Sequence, residues 1–234
     1  MRCGDVPVIE LLSENESETH GEVLRDDGDA ADDRYRLYQV AGASHVSLPA
    51  RPDRPVNTYQ ASGGRGTPYP AMLEPASTFC MDHVAGAVYD HLDRWVASGV
   101  VPPRADRLVL GDKDGGGRRG NRTQARPLVR DEHANAIGGI RSTYVDVPVA
   151  SYYPHSTPVR DEAYESGPIR SAAMMGDLLG SMKPFDSDKL LHLYGTHDGY
   201  VERVCTRADE LVDEGWLLAA GAETIKKDAA AAVF

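Results

Sequence analysis

Two acidic residues and a histidine follow two short apolar runs near the start of the chain. Glu14 and Glu16 come directly after the run at 6–12, and His45 comes after the run at 34–40. A histidine that donates one ring N–H to a carboxylate keeps its other nitrogen free to take up a proton. The spacing is therefore that of a general base with its orienting acid, although two surface carboxylates and a loop histidine would give the same pattern.

The two apolar runs have the composition of buried β-strands. Aliphatic and β-branched residues dominate 6–12, and aromatic and aliphatic residues dominate 34–40, as expected of strands in a parallel sheet. The carboxyl ends of neighbouring parallel strands open onto one crevice. We therefore expect the acid and the histidine at the same edge of an α/β sheet.

Ser44, beside His45, is the most obvious candidate for a nucleophile. It completes Gly42-Ala43-Ser44, the first half of a Gly-x-Ser-x-Gly turn, but Val46 stands where the second glycine is needed. A side chain at that position would crowd the tight turn. No complete Gly-x-Ser-x-Gly occurs in the 234 residues, so we assign the chemistry of this segment to His45.

The rest of the chain predicts helices separated by long loops. Apolar residues at helical spacing predict helices at 79–98, 199–215 and 222–231. The polar residues at 17–33 predict a loop or a short surface helix, and 145–150 predicts an edge strand or coil. Six prolines between 49 and 75 predict an irregular surface segment.

A second polar cluster precedes a pair of glycines. Asp131, His133 and Asn135 stand shortly before Gly138-Gly139, where they could line a substrate or serve a metal- or cofactor-dependent enzyme. The alternative is a turn whose polar side chains satisfy the backbone. The eight histidines and three cysteines include no His-x-x-x-His or Cys-x-x-Cys, so we predict no metal and no cofactor.

The composition excludes several classes of partner. A formal charge of −11 argues against nucleic acid, despite an arginine cluster at 117–122. No apolar run is long enough to span a membrane or to form a signal peptide. Three widely spaced cysteines fit free thiols. We therefore expect a cytoplasmic protein that binds neither nucleic acid nor membrane.

The order VPVIELLSENE, then RYRLYQVAGASH, resembles the last two strands of the α/β-hydrolase fold, and more narrowly proteins described as alpha/beta hydrolase domain-containing. Later stretches similar to that family are at 91–103, 135–141, 145–150 and 200–220. The resemblance implies that His45 is the base of a catalytic triad. The family's acid commonly ends a Gly-x-x-Asp turn, and Glu16 aligns with that aspartate in Ser13-Glu14-Asn15-Glu16. We favour Glu16 as the acid, with Glu14 as the alternative.

The resemblance also implies an incomplete fold. The expected fold class is α/β, as one partial domain over 1–234: the last sheet strands at 1–48, and a loop-rich, partly helical elaboration at 49–234. Because the nucleophile motif is absent, it and about six further strands would lie upstream of Met1. The expected substrate is a small ester or related acyl compound, and the chain alone would be inactive. The alternative is a non-enzymatic module that pairs with a partner chain.

Overall fold

The computed structural model describes residues 6–21, 24–46, 71–112, 126–160 and 169–232. The predictions for the arginine cluster and for residues 49–70 of the proline-rich segment lie outside these ranges. The described strands are β1 (Val8–Leu12), β2 (Gly28–Ala30), β3 (Asp33–Gln39), β4 (Ala150–Tyr153) and β5 (Ser181–Pro184). The described helices are α1 (Glu14–His20), α2 (Asp82–Ser98), α3 (Thr143–Asp146), α4 (Ile169–Leu178), α5 (Ser187–Tyr194), α6 (His197–Asp213) and α7 (Ala219–Ala231).

The two strands predicted near the start of the chain lie side by side. β1 pairs with β3 in parallel, from Val8 opposite Tyr35 to Leu12 opposite Gln39. The short strand β2 pairs antiparallel with β3 on its other side, so the strand order is β1-β3-β2. The parallel register brings the carboxyl ends of β1 and β3 to the same edge, as the sequence predicts.

The last five residues of β3 are buried, and its buried apolar side chains lie on both faces of the strand. Tyr35 and Leu37 pack with Leu12 in a small cluster on one face. Tyr38 and Val40 belong to the main core on the other face. Alternate residues of a strand point to opposite faces, so a single strand supplies both clusters.

α2 covers the main core and confirms the predicted helix at 79–98. Its buried residues recur at helical spacing: Val84, Ala87, Val88, His91 and Trp95. The helix ends at Gly99, which has a φ of 71° and donates its N–H to the Trp95 carbonyl over 3.1 Å. A left-handed residue at this position ends a helix, and glycine adopts that conformation without steric cost.

The C-terminal helices form a second core. α6 and α7 pack against each other through buried residues that include Val204, Ala208, Leu211 and Ile225. Trp216 borders both this cluster and the main core. Both helices were predicted, and the structure starts each of them two or three residues earlier than the prediction.

Two other predicted segments agree with the structure only in part. In the polar stretch at 17–33, where a loop or a short surface helix was predicted, 17–20 lie in the short helix α1, but Ser17 is buried and 28–30 form β2. Of the segment at 145–150, where an edge strand or coil was predicted, 145–146 end the helix α3, 147–149 are coil, and Ala150 begins β4. The later loop-rich part contains β4 and β5, which pair antiparallel with Ala150 opposite Pro184. This pairing joins distant segments, so no local pattern announces it.

Among the described helices, none combines the length and apolar character needed to cross a membrane.

Candidate active site

His45 and Glu16 are in direct contact at the edge where β1 and β3 end. Nδ1 of His45 makes a short hydrogen bond with Oε1 of Glu16. An ionised carboxylate only accepts, so Nδ1 carries the proton and Nε2 of the neutral ring keeps its lone pair. The His45 side chain is half exposed, at 51%, and within the described residues no hydrogen bond engages Nε2. Nε2 is thus free to accept a proton from another group.

The other oxygen of the Glu16 carboxylate is held by Ser13. Oε2 accepts the backbone N–H of Ser13 over 3.0 Å and also its hydroxyl. The Ser13 hydroxyl in turn accepts the N–H of Asn15 over 3.2 Å, which completes a capping box at the start of α1. One carboxylate therefore caps the helix through Oε2 and contacts His45 through Oε1.

The pKa of the Glu16 carboxyl is lowered. Partial burial alone would raise it, but hydrogen bonds from Ser13 and His45 outweigh that effect because they favour the charged form. Glu16 is therefore ionised near neutral pH, as an orienting acid must be.

Glu14 is held away from the imidazole. Its side chain is fully buried, Oε1 accepts the N–H of Gly42 over 2.6 Å, and Oε2 pairs with Arg130 over 2.7 Å. Burial raises the pKa of Glu14, while Arg130 and the Gly42 N–H act in the opposite direction. Both carboxylate oxygens are occupied, and no hydrogen bond joins Glu14 to His45 among the described residues.

The loop that carries His45 is fastened to the start of α1. The Glu14 N–H donates to the Ala43 carbonyl over 3.0 Å, and the His45 N–H donates to Oδ1 of Asn15 over 2.7 Å. Gly42 has a φ of 83°, and a Cβ built there would lie 2.9 Å from Val145. The loop needs glycine at that position for its conformation and for its close packing.

Ser44 is not presented as a nucleophile. Its side chain is 2% exposed, and its hydroxyl donates to the Val46 carbonyl over 3.0 Å. Gly180 packs so closely that a Cβ built there would meet the Ser44 hydroxyl. The preference for His45 over Ser44 is therefore consistent with the packing.

The cluster at 131–135 forms a turn. Oδ1 of Asp131 accepts the N–H groups of His133 and Asn135, over 2.9 and 3.0 Å, while Oδ2 pairs with Arg141. Asn135 is fully buried between the backbone groups of Ala150 and Tyr152. The side chains of Asp131 and Asn135 therefore form hydrogen bonds with backbone groups. This is the turn that the sequence left open as the alternative to a substrate or cofactor site. The described residues contain no cluster of three or more His, Cys, Asp or Glu that could hold a metal ion.

Three residues near the site were missed by sequence reasoning. Ser13 could have been found, because Ser-x-x-Glu at the end of a strand is a capping-box pattern. No sequence pattern indicated a role for Asn15, apart from its position between Glu14 and Glu16. His155 lies far along the chain, yet its Nε2 contacts Glu18 of α1 over 2.7 Å and its Nδ1 contacts the Asp177 carbonyl over 2.9 Å.

Comparison with known protein families identifies a relationship over most of the chain. A family model described as Alpha/beta hydrolase domain matches residues 2–227. Searches of curated proteins and of solved structures found no match.

Proposed function

Because the chain belongs to the alpha/beta hydrolase domain family, we propose that it supplies the base and the acid of a hydrolytic triad. His45 is the general base, Glu16 is the acid that orients it, and the substrate is a small ester or related acyl compound. The nucleophile comes from outside these 234 residues, which contain no Gly-x-Ser-x-Gly.

The contact between Nδ1 of His45 and the Glu16 carboxylate carries the proposal. It fixes the tautomer in which Nε2 can act as base, and the ionised carboxylate stabilises the imidazolium that forms. The half-exposed imidazole leaves room for a nucleophile and a substrate. Glu14 instead binds the Gly42 N–H and Arg130. We therefore assign it a structural role.

The proposed chemistry follows from these positions. Nε2 takes the proton of a serine hydroxyl as its oxygen attacks the acyl carbon, and then gives that proton to the departing alkoxide. In the second half, Nε2 takes a proton from water as the water oxygen attacks the acyl-enzyme, and returns that proton to the serine oxygen. Nδ1 keeps its proton and Glu16 stays ionised throughout.

Labelling with a fluorophosphonate tests the proposal. This reagent reacts covalently with an activated serine, so the product of the longest reading frame that contains this sequence should be labelled. The purified 234-residue chain should not be labelled. His45→Ala should abolish labelling of the longer product, and a Ser44→Ala control should not. Labelling of Ser44, or labelling that persists in His45→Ala, would overturn the proposal.

A second candidate is a non-enzymatic module that binds a partner chain. Within the described sheet β1 pairs only with β3, so its other edge is open to a further strand. If the longest reading frame yields no labelled serine but the chain forms a stable complex whose interface contains β1, this second candidate is favoured. Cross-linking combined with mass spectrometry would identify that interface.

A further inference from the structure

We propose that Asn15 is a positioning residue for His45: its side-chain amide fixes the His45 backbone and ties it to the end of α4. The inference rests on the proposed function, because it concerns how the proposed base is held. Asn15 lies between Glu14 and Glu16 on α1, and it is 1% exposed.

The amide of Asn15 contacts three backbone groups and two side chains; the side-chain contacts are the Ser13 hydroxyl, 3.4 Å from Oδ1, and Nδ1 of His155, 3.2 Å from Nδ2. Oδ1 accepts the N–H of His45 over 2.7 Å, while Nδ2 donates to the carbonyls of Pro154, over 3.1 Å, and of Asp177. Rotating the amide by half a turn would set its NH₂ group against the His45 N–H and its oxygen against two carbonyls. The orientation is therefore fixed by its partners, and burial prevents water from replacing them.

The contacts of Asn15 close a ring with the loop that carries His45. Val46, the residue after His45, donates its N–H to the Leu178 carbonyl over 3.0 Å. Leu178 follows Asp177, which accepts from Asn15. The His45 backbone is thus held on both sides by the end of α4, directly through Val46 and indirectly through Asn15.

This arrangement aligns the imidazole with its acid. Consecutive residues of α1 hold the two ends of His45, since Asn15 binds the backbone N–H and Glu16 binds Nδ1. A rigid helical turn therefore sets the distance between the backbone anchor and the ring acceptor. Without the hydrogen bond to Asn15, the His45 backbone would have to become ordered each time the ring binds its carboxylate. A small misplacement of a general base strongly slows a reaction.

Asn135 provides a matched control. It is also a fully buried asparagine that accepts one backbone N–H, from Tyr152 over 2.8 Å, and donates to one backbone carbonyl, that of Ala150 over 3.1 Å. Asn135→Ala should therefore lower stability through the same kind of loss as Asn15→Ala, but without touching the His45 loop.

NMR of the ¹⁵N-labelled chain tests the inference without any turnover. The unmutated chain should show one His45 tautomer, with the proton on Nδ1 in a downfield hydrogen-bonded signal. Asn15→Ala should lose that signal and show both tautomers, while Asn135→Ala should keep the unmutated spectrum at His45. An unchanged His45 signal in Asn15→Ala, or an equal change in Asn135→Ala, would overturn the positioning role.

A measurement on the unmutated chain covers the case in which Asn15→Ala does not fold. The His45 amide should exchange with solvent at least about tenfold more slowly than an unstructured amide, because Asn15 holds it. Unprotected exchange would overturn the inference. The NMR and exchange measurements are independent of the fluorophosphonate labelling. The positioning role of Asn15 can therefore be refuted while the proposed function is supported, and the proposed function can be refuted while the positioning role is supported.

Discussion

Glu14 and Glu16 show how a helix assigns different tasks to two carboxylates that are nearly adjacent in sequence. Successive helical residues are turned by about 100°, so residues two apart face nearly opposite sides. Glu16 consequently contacts His45, while Glu14 points into the protein and pairs with Arg130. The sequence favoured Glu16 from its position in the turn, and the helix adds a geometric reason for the separation.

The lowered pKa of Glu16 predicts a pH dependence of stability. A carboxyl whose pKa is lower in the folded than in the unfolded state stabilises the fold above its ordinary pKa of 4.5. That contribution is lost as the pH falls through the folded-state pKa. The free energy of unfolding of the unmutated chain should therefore exceed that of Glu16→Gln at pH 7, and the difference should shrink below about pH 4.5. Urea denaturation at several pH values measures it, and a difference independent of pH would refute this assignment.

Breaking the buried ion pair of Glu14 and Arg130 should strongly lower the free energy of unfolding. Removing the charge of Glu14 as well should restore part of that loss. Arg130→Met leaves the Glu14 carboxylate buried without its cation, and breaking such a pair costs about 3–5 kcal/mol. Adding Glu14→Gln removes the unpaired charge and keeps an oxygen for the Gly42 N–H. The double variant should therefore be more stable than Arg130→Met alone in urea denaturation. An equal or lower stability of the double variant would show that the charge of Glu14 is not the cause.

At the scale of elements, α1 is the part that organises the site. Its first turn begins with the Ser13 capping box, and it contacts the His45 loop through Glu14, Asn15 and Glu16. The two departures from the family's Gly-x-x-Asp turn, serine for glycine and glutamate for aspartate, have a physical explanation. Serine caps the helix while it holds the carboxylate, and the longer glutamate still reaches the imidazole.

Removal of the Ser13 hydroxyl should affect both stability and catalysis. Ser13→Ala should lower the free energy of unfolding by about 1 kcal/mol, as expected for a lost helix cap. It should also lower ester hydrolysis by the longer product, because Oε2 of Glu16 loses its hydroxyl partner. Thr196→Ala is a matched control, since Thr196 caps α6 by accepting the Gly199 N–H over 3.0 Å. Thr196→Ala should lower stability without lowering hydrolysis, and an equal loss of hydrolysis in both variants would contradict this role of Ser13.

The strands and long helices were predictable because their apolar residues recur with a regular period. β1, β3, α2, α6 and α7 all followed from such patterns. The candidate pair His45 and Glu16 followed from strand order and family resemblance. Asn15 and His155 could not be predicted, because their partners are brought together by packing between segments more than 130 residues apart.

At the scale of the whole molecule, two apolar clusters meet at Trp216. The main core surrounds β3 and α2, and the second cluster joins α6 to α7. Trp216 packs edge-on against Tyr38 with ring centroids 5.2 Å apart. This contact links the helical part to the sheet that carries the site, and the single domain expected from the sequence stays a prediction.

Truncating a buried residue of the second cluster tests whether the two clusters unfold as one cooperative unit. Leu211 is 1% exposed, so Leu211→Ala should cost about 2–5 kcal/mol through lost burial and the cavity left behind. If the clusters form one cooperative unit, His45 signals and helical circular dichroism should disappear in the same thermal transition, shifted to lower temperature. Two separate transitions would show that the helical part unfolds independently of the site.

The comparison of Glu16→Gln with Glu14→Gln in ester hydrolysis tests the central claim most directly. In the product of the longest reading frame, with a p-nitrophenyl ester as substrate, Glu16→Gln should lower kcat about 10³-fold or more, because the histidine loses its orienting charge. Glu14→Gln, which keeps an acceptor for the Gly42 N–H, should lower kcat by less than about tenfold. A larger loss from Glu14→Gln than from Glu16→Gln would contradict the assignment of Glu16 as the acid of His45.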